Sequence, residues 1–97
     1  MVTYIVLAKF TEQGIRNAKD SPKRADAFKQ LAKTVGVTVK EIFWTVGRYD
    51  IVTFVEAPDE PSAMTLNLSL GALGNVRTES LRAFSAADMA TVVGKMI

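Results

Sequence analysis

The chain has 97 residues, a length typical of one small domain, and we expect a single domain over residues 1–97. Hydrophobic residues make up 48% of it and charged residues 23%, as in a globular protein rather than a disordered one. Twelve Lys and Arg against ten Asp and Glu leave a formal charge of +2, too balanced to indicate a nucleic-acid partner. Histidine and cysteine are absent, which excludes a thiol nucleophile, a histidine-based triad, a Cys/His zinc site and His- or Cys-ligated haem. We therefore expect no metal and no cofactor.

We expect no targeting signal in this sequence. No basic region precedes the first apolar run, and Lys9 interrupts that run, so no signal peptide is predicted. The longest stretch without charge covers residues 61–76, shorter than the roughly 20 residues that a membrane span needs. We expect a cytoplasmic protein that does not contact a membrane.

The first half of the chain predicts a strand, a loop and a helix. Tyr4–Phe10 is apolar at both parities, which is typical of a strand covered on both faces. Thr11–Ser21 is predicted to be a loop. Ser21 is the expected N-cap of the helix, Pro22 suits its first turn, and Gly36 suits the left-handed residue that ends it. The predicted buried stripe comprises Ala25, Phe28, Leu31, Ala32 and Val35, and the residues expected to lie away from it are Lys23, Arg24, Lys29 and Lys33.

A second strand is predicted at about 37–46, followed by a tight hairpin connection at Gly47–Asp50 and a central third strand at Ile51–Val55. The two faces of the second strand are predicted to carry Ile42, Trp44 and Val46 on one side and Val39, Glu41 and Phe43 on the other.

The last three predicted elements are a helix, an edge strand and a closing helix. The helix opens after Pro58–Pro61 and ends at Gly74 and Asn75. The strand, at about 76–84, is polar enough for an exposed edge. Ser85 and Asp88 are spaced as in a capping box at the start of the closing helix. The buried stripe of the middle helix is predicted to be Ala63, Leu66, Leu70 and Leu73, and the apolar side of the closing helix to be Met89, Val92, Val93 and Met96.

The order βαββαβ followed by a C-terminal helix predicts an α+β fold of the ferredoxin-like type, with strands one and three central. Both crossover helices of such a fold pack on one face of the sheet, which leaves apolar residues of the central strands on the other face. Monomers rarely expose large apolar patches, so we expect a homodimer with its sheets face to face, or a higher oligomer. The middle helix has no charge after Glu60, which indicates that the closing helix or a partner covers it.

The sequence resembles the GYD domain family, whose members are small bacterial and archaeal proteins. The resemblance is carried by Gly47-Arg48-Tyr49-Asp50, with Tyr4-Ile-Val-Leu before it and the segment from Gly74 to Phe84 after it. More loosely, the chain is similar to the dimeric α/β-barrel superfamily, which includes amino-acid-sensing domains, cofactor-free monooxygenases and haem-dependent chlorite dismutases. The resemblance implies a fold and a dimer but no particular reaction. The haem branch is disfavoured because the chain has no histidine to serve as proximal ligand.

Three glycine-containing segments are predicted to meet at one end of the antiparallel sheet: Thr11–Ser21, Gly47–Asp50 and Gly74–Arg77. Each contributes an arginine: Arg16, Arg48 and Arg77. Arginine suits bidentate recognition of carboxylate or phosphate, and the N-terminus of the first helix lies at the same end. One hypothesis is a site for a small anionic ligand formed by these arginines with Tyr49 and Asp50. The alternative is that the glycines only form turns and the arginines pair at the surface with Asp20, Asp50 and Glu79.

Three classes of function are compared. The first is a dimeric small-ligand-binding or sensory module. The second is a cofactor-independent enzyme acting on a small aromatic or carbonyl substrate, in which acid–base work would fall to Tyr49, Asp50 or Glu79. The third is an RNA-binding module, since the RNA recognition motif has the same βαββαβ order of elements. The basic-Gly-aromatic pattern of that motif is absent from the third strand, so this class is rejected.

Trp44 and Tyr4 are candidates to line an apolar pocket between sheet and helices, although aromatics in strands more often belong to the core.

Overall fold

The computed structural model describes residues 1–97. Its strands are β1 (Val2–Phe10), β2 (Thr38–Trp44), β3 (Ile51–Ala57) and β4 (Val76–Ala83), and its α-helices are α1 (Glu12–Arg16), α2 (Ser21–Thr34), α3 (Glu60–Ala72) and α4 (Ala86–Gly94). The strands form one antiparallel sheet in the order β2-β3-β1-β4. This order confirms the ferredoxin-like α+β fold, with β1 and β3 central and β2 and β4 at the edges.

The segment predicted as a loop between β1 and α2 is instead largely helical, so that prediction was wrong. Thr11 is the N-cap of α1, because its hydroxyl accepts a hydrogen bond from the Gly14 N–H at 3.1 Å. The same hydroxyl donates to the Gly74 carbonyl at 2.5 Å, which ties α1 to the start of β4. A 3₁₀ turn at Ala18–Asp20 then leads into α2.

The start of α2 also differs from the prediction, whereas its end does not. Asp20 is the N-cap residue and makes no side-chain capping bond, so Ser21 is the first helical residue rather than the cap. Pro22 lies in the first turn, as expected. Gly36 has φ +77°, the left-handed conformation that ends the helical segment.

A β-bulge at Lys40 changes which residues of β2 face the helices. Val39 lies opposite Val55, but Glu41 lies opposite Phe54, so the register skips one residue. Val39 therefore packs against the core together with the helix-facing side of β2, and its predicted placement beside Glu41 and Phe43 was wrong. The strand also ends at Trp44, which leaves the predicted strand residue Val46 exposed in the connection 45–50.

The core lies at one end of the space between the sheet and the two long helices. It is centred on Val37 and Val55 and involves the second half of α2 and the first half of α3; its members are Val6, Ala32, Val37, Val55, Ala57, Ala63 and Leu66. Of the stripe predicted for α3, Ala63 and Leu66 are buried as expected. Leu70 is half-buried and Leu73 is 60% exposed, so the stripe loses its cover towards the end of the helix.

The opposite face of the sheet carries no helix. Its apolar side chains alternate with the core residues along each strand, and they are Ile5, Leu7, Phe43, Val52, Phe54 and Leu81. We call these six residues the open face. None is fully buried, and Phe43 is 49% exposed, packed edge-to-face on Phe54 with ring centroids 6.2 Å apart.

The closing helix α4 stands apart from the rest of the fold. It begins with the predicted capping box, in which Ser85 and Asp88 each accept a hydrogen bond from the other's backbone N–H. None of its residues is buried. It therefore leaves Met64 and Leu68 of α3 exposed, so the cover that the sequence suggested for α3 is not supplied within this chain. None of the helices has the length and apolar character needed to cross a membrane.

Candidate ligand-binding site

A cavity of about 460 Å³ lies between the sheet and the halves of α2 and α3 that do not contribute to the core. Its floor is formed by helix-facing residues of all four strands, and its walls by the first half of α2 and the end of α3. The apolar lining includes Val6, Ala8, Phe10, Phe28, Leu31, Ile42, Trp44, Ile51, Leu70, Leu73 and Val76. The volume lies within the range of about 300–1,000 Å³ that small-molecule sites occupy.

The side chains that lie between the sheet and the helices differ between the core end and the cavity end. At the core end, Ala32 and Ala63 of the two helices are both buried. At the other end, the strands present the larger Phe10 and Trp44 below the helices. The wide end remains open to solvent as a mainly apolar cleft.

The position of Trp44 is fixed by a hydrogen bond across the cavity wall. Its indole N–H donates to the hydroxyl of Ser21 at 2.8 Å, and Ser21 is buried at the first residue of α2. Trp44 is nevertheless 47% exposed. An aromatic ring that is anchored at its polar atom and otherwise uncovered is well placed to contact a ligand.

Arg24 is the only charged residue of the cavity lining. It lies one turn after Ser21, and its Nη2 donates to the Gly14 carbonyl at 3.4 Å, a long bond. It forms no ion pair, since the two ion pairs of the chain are Arg16–Glu12 and Lys40–Glu56. The sequence placed Arg24 away from the buried stripe of α2, and that placement was wrong because the side chain lines the cavity beside the stripe.

The three segments predicted to meet at one end of the sheet do meet there. The Thr11 N–H donates to the Asn75 carbonyl at 3.1 Å, which joins the first segment to the third. The Asp50 N–H donates to the Ala8 carbonyl at 2.9 Å, and an Asp50 carboxylate oxygen accepts from the Phe10 N–H at 2.8 Å. These two hydrogen bonds of Asp50 hold the connection 45–50 against the end of β1.

The five residues predicted as an anion site occupy different surroundings at this end. Arg16 pairs with Glu12 at 3.8 Å on the exposed side of α1, rather than with Asp20. Arg48 and Arg77 are exposed and form no ion pair, so the pairings suggested with Asp50 and Glu79 are not formed.

Tyr49 crosses the sheet on the side of the open face. Its hydroxyl donates to a Glu79 carboxylate oxygen at 2.5 Å, and Lys9 lies over its ring at 5.6 Å from the centroid. The bond to Glu79 raises the pKa of Tyr49, and nearby Arg48 opposes that rise in part. Tyr49 and Glu79 thus lie on the opposite side of the sheet from the cavity.

Tyr4, the other aromatic proposed for a pocket, does not line the cavity. It packs against the core, and the guanidinium of Arg82 lies 5.9 Å from its ring centroid. The polar cavity residues that the sequence did not single out include Ser21 as a partner of Trp44, Arg24, Thr53, Ser69 and Thr78. Only the spacing of Ser21 and Arg24 in the first turn of α2, beside Ala25 and Phe28, could have suggested a polar edge on that apolar stripe.

The sheet order, the two crossover helices and the cleft between sheet and helices define a small α+β protein of the ferredoxin-like type with a mainly apolar cavity. The model of the GYD domain family matches residues 4–93, and the chain belongs to that family, as its resemblance indicated.

One similar protein sequence and one similar solved structure both come from Thermus thermophilus. The chain is 34% identical, over 90 residues, to the glutamine synthetase and cystathionine beta-lyase binding protein of that organism, an alignment covering 92% of this chain and 95% of the relative. It is also similar to the crystal structure of the Thermus thermophilus protein TTHA0845, with 27% identity and a TM-score of 0.54. That alignment covers 89% of this chain and 96% of the other.

Proposed function

We propose that the protein is a homodimeric binding module for a small molecule. The observation that carries the proposal is the cavity of about 460 Å³, which is lined mainly by apolar side chains and lies beside the core. Apolar surface in contact with water costs about 25 cal/mol per Å², and a ligand with an apolar body would recover that free energy. The anchored ring of Trp44 gives such a ligand a preformed contact surface.

The arrangement of titratable groups supports binding over catalysis. The cavity lining contains no carboxylate, lysine or tyrosine that could transfer a proton to a substrate. Of the acid–base candidates, Tyr49 and Glu79 bond to each other on the other side of the sheet, and Asp50 accepts from the backbone of β1. A cofactor-independent enzyme would need such groups beside the bound substrate.

The dimer is proposed from the open face. Six apolar side chains lie together on a side of the sheet that no helix covers, and a second copy of the chain would cover them by two-fold symmetry. Face-to-face packing of two such sheets gives the α/β barrel of the related dimeric superfamily.

Native mass spectrometry of protein purified from its own host tests both parts of the proposal. We expect a dimer, with a small molecule released on mild denaturation. A monomer at micromolar concentration would overturn the dimer. A dimer that carries no small molecule, and whose Trp44 emission responds to no member of a library of small apolar compounds, would overturn the binding module.

A second candidate is a protein-binding role, favoured by the exposure of α4. This helix presents Met89, Val92 and Val93 without any cover from its own chain, and amphipathic helices of this kind dock into grooves of other proteins. Met96, predicted on the same side, lies beyond the end of α4 at Gly94. The relative at 34% identity is described by its name as binding glutamine synthetase and cystathionine beta-lyase.

Size-exclusion chromatography with the purified glutamine synthetase and cystathionine beta-lyase of the same host tests this candidate. We expect co-elution with at least one enzyme, lost in Val92→Glu on the apolar side of α4. Thr91→Glu places the same charge on the other side of the helix and should co-elute as the wild type does. Equal co-elution of both variants, or none by the wild type, would contradict the role of α4.

A further inference from the structure

We propose that the ligand of the cavity is a small apolar molecule bearing a carboxylate, and that the guanidinium of Arg24 binds the carboxylate. This inference rests on the proposed binding function and names the class of ligand. Two features of the cavity support this assignment: its lining is mainly apolar, and Arg24 is the only charged residue in that lining.

The apolar part of the ligand follows from the lining and the volume. Side chains such as Phe28, Leu31 and Ile42 offer no hydrogen-bonding group, so they suit a hydrocarbon or aromatic body. A water-sized group occupies about 30 Å³, so the cavity of about 460 Å³ has room for roughly 15 non-hydrogen atoms.

The anionic part follows from the state of Arg24. A guanidinium is charged at every physiological pH, and at the edge of an apolar cavity it is more favourably paired than unpaired. No carboxylate of this chain pairs with it, and its one hydrogen bond, to the Gly14 carbonyl, is long at 3.4 Å. Its fork of N–H donors therefore remains available, and a carboxylate matches that fork in a bidentate manner.

The first turn of α2 adds to the same positive potential. Ser21, Arg24 and Ala25 all line the cavity, so the N-terminus of this 14-residue helix lies at its wall. The first turn itself contains no acidic residue, and the carboxylate of its N-cap, Asp20, is exposed and makes no side-chain bond to the N–H groups of the turn. The positive end of the helix dipole and Arg24 thus favour a negative group at the same edge of the cavity.

Decanoate and its neutral isostere decanamide test the inference, with Trp44 fluorescence as the readout. Trp44 is the only tryptophan of the chain and lines the cavity, so its emission reports occupancy directly. We expect decanoate to bind about tenfold or more tightly than decanamide, as one charge-assisted pair allows. In Arg24→Gln the preference should disappear, with decanoate falling to the affinity of decanamide.

Two further variants separate the possible causes. Lys23→Gln removes an exposed charge from the neighbouring position of α2, outside the cavity lining, and should keep the preference. Ala25→Phe fills the cavity from the same turn and should weaken both probes, which distinguishes the cavity from adsorption on the open face.

The outcomes distinguish this inference from the proposed function. If both probes bind the wild type equally and Ala25→Phe weakens both, the small-molecule site stands and the carboxylate assignment is overturned. If the preference survives in Arg24→Gln, another group binds the anion and the role of Arg24 is overturned. If neither probe binds, the inference fails, and the proposed function is then decided by the molecule that purifies with the protein.

Discussion

Gly14 is the residue at which the fold has least room for change. A Cβ at this position would overlap the carbonyl oxygen of Asn75, the same oxygen that accepts the hydrogen bond from the Thr11 N–H. Gly14→Ala should therefore push α1 away from the start of β4, at a cost of about 1–3 kcal/mol in the free energy of unfolding. Thermal unfolding followed by circular dichroism measures this cost, at about 4–8 °C for each kcal/mol in a domain of this size.

Gly71→Ala is the matched control for that prediction. Gly71 lies inside α3, and an added Cβ there meets no atom within 4 Å. Alanine is the better helix former by up to about 1 kcal/mol, so this variant should unfold at the same or a higher temperature. An equal loss of stability in both variants would show that close contact with Asn75 is not the cause.

The titration of Tyr49 tests the contact across β1 and β4. The carboxylate of Glu79 accepts the phenol hydrogen and raises the pKa of Tyr49 above its ordinary value. Because the folded-state pKa is raised, this contribution to stability is full below the unfolded-state pKa and is lost as pH rises through the folded-state pKa. In a Tyr4→Phe background, where Tyr49 is the only tyrosine, we expect Glu79→Gln to lower the pH at which phenolate absorbance appears.

Glu41→Gln is the control, since Glu41 is an exposed carboxylate that makes no bond to Tyr49. It should leave the phenolate titration unchanged. A titration that does not respond to Glu79→Gln would mean that Tyr49 leaves the sheet in solution.

At the scale of whole elements, the sequence predicted the order and type of every long helix and strand. Hydrophobic alternation and apolar content were sufficient to predict the central strands, because β1 and β3 carry apolar residues on both faces of the sheet and helices cover one of those faces. The bulge at Lys40 could not be predicted, since it depends on how β2 meets Phe54 and Val55 of its neighbour. The helix α1 was missed because its five residues show no helical period, and its cap, Thr11, resembles any loop threonine.

The candidate site could be predicted only in part, for a similar reason. Antiparallel topology alone brings the segments around Thr11, Asp50 and Asn75 to one end of the sheet. The cavity depends instead on how side chains of α2, α3 and all four strands pack together, which no local pattern encodes. The side of the sheet on which Tyr49 lies depends on the connection 45–50.

The stability of α4 should be local, because no other element buries it. Ser85 caps its first turn, so Ser85→Ala should cost about 1 kcal/mol of local helix stability while leaving the unfolding temperature of the sheet nearly unchanged. Amide hydrogen exchange of residues 86–94 measures the change. Thr91→Ala, in the same helix, removes a β-branched residue and should slow exchange instead. Exchange in wild-type α4 as slow as in β1 would show that a partner chain covers the helix.

At the scale of the molecule, the open face predicts association. Phe54 lies on central strand β3 among the other open-face residues, so Phe54→Asp would place a charge in the proposed interface. We expect this variant to elute as a monomer at concentrations where the wild type is a dimer, measured by light scattering. Lys33→Gln changes the net charge by the same amount on the exposed side of α2 and should remain a dimer. Two dimers, or two monomers, would contradict an interface at the open face.

The anion site predicted at the end of the sheet stays a proposal, and Arg48 and Arg77 are the residues that keep free charge for it. Both are exposed and unpaired, and Arg77 lies directly opposite Lys9 in the register of β1 and β4, so positive charge gathers there. A bound anion would relieve that repulsion and raise the unfolding temperature.

Inorganic phosphate is the probe for that site. We expect it to raise the unfolding temperature of the wild type and to raise that of Arg48→Ala and Arg77→Ala less. The unfolding temperature of either variant without phosphate should stay close to that of the wild type, because neither side chain holds another part of the fold. Lys33→Ala removes an exposed cation near the other end of α2 and should respond to phosphate as the wild type does. An equal response to phosphate in all four proteins would exclude the arginines as a site. A loss of several degrees in the unfolding temperature of a variant without phosphate would assign its arginine a structural role.

Arg24→Gln should leave the phosphate response intact, because Arg24 lines the cavity between the sheet and the helices whereas Arg77 lies on the other side of the sheet.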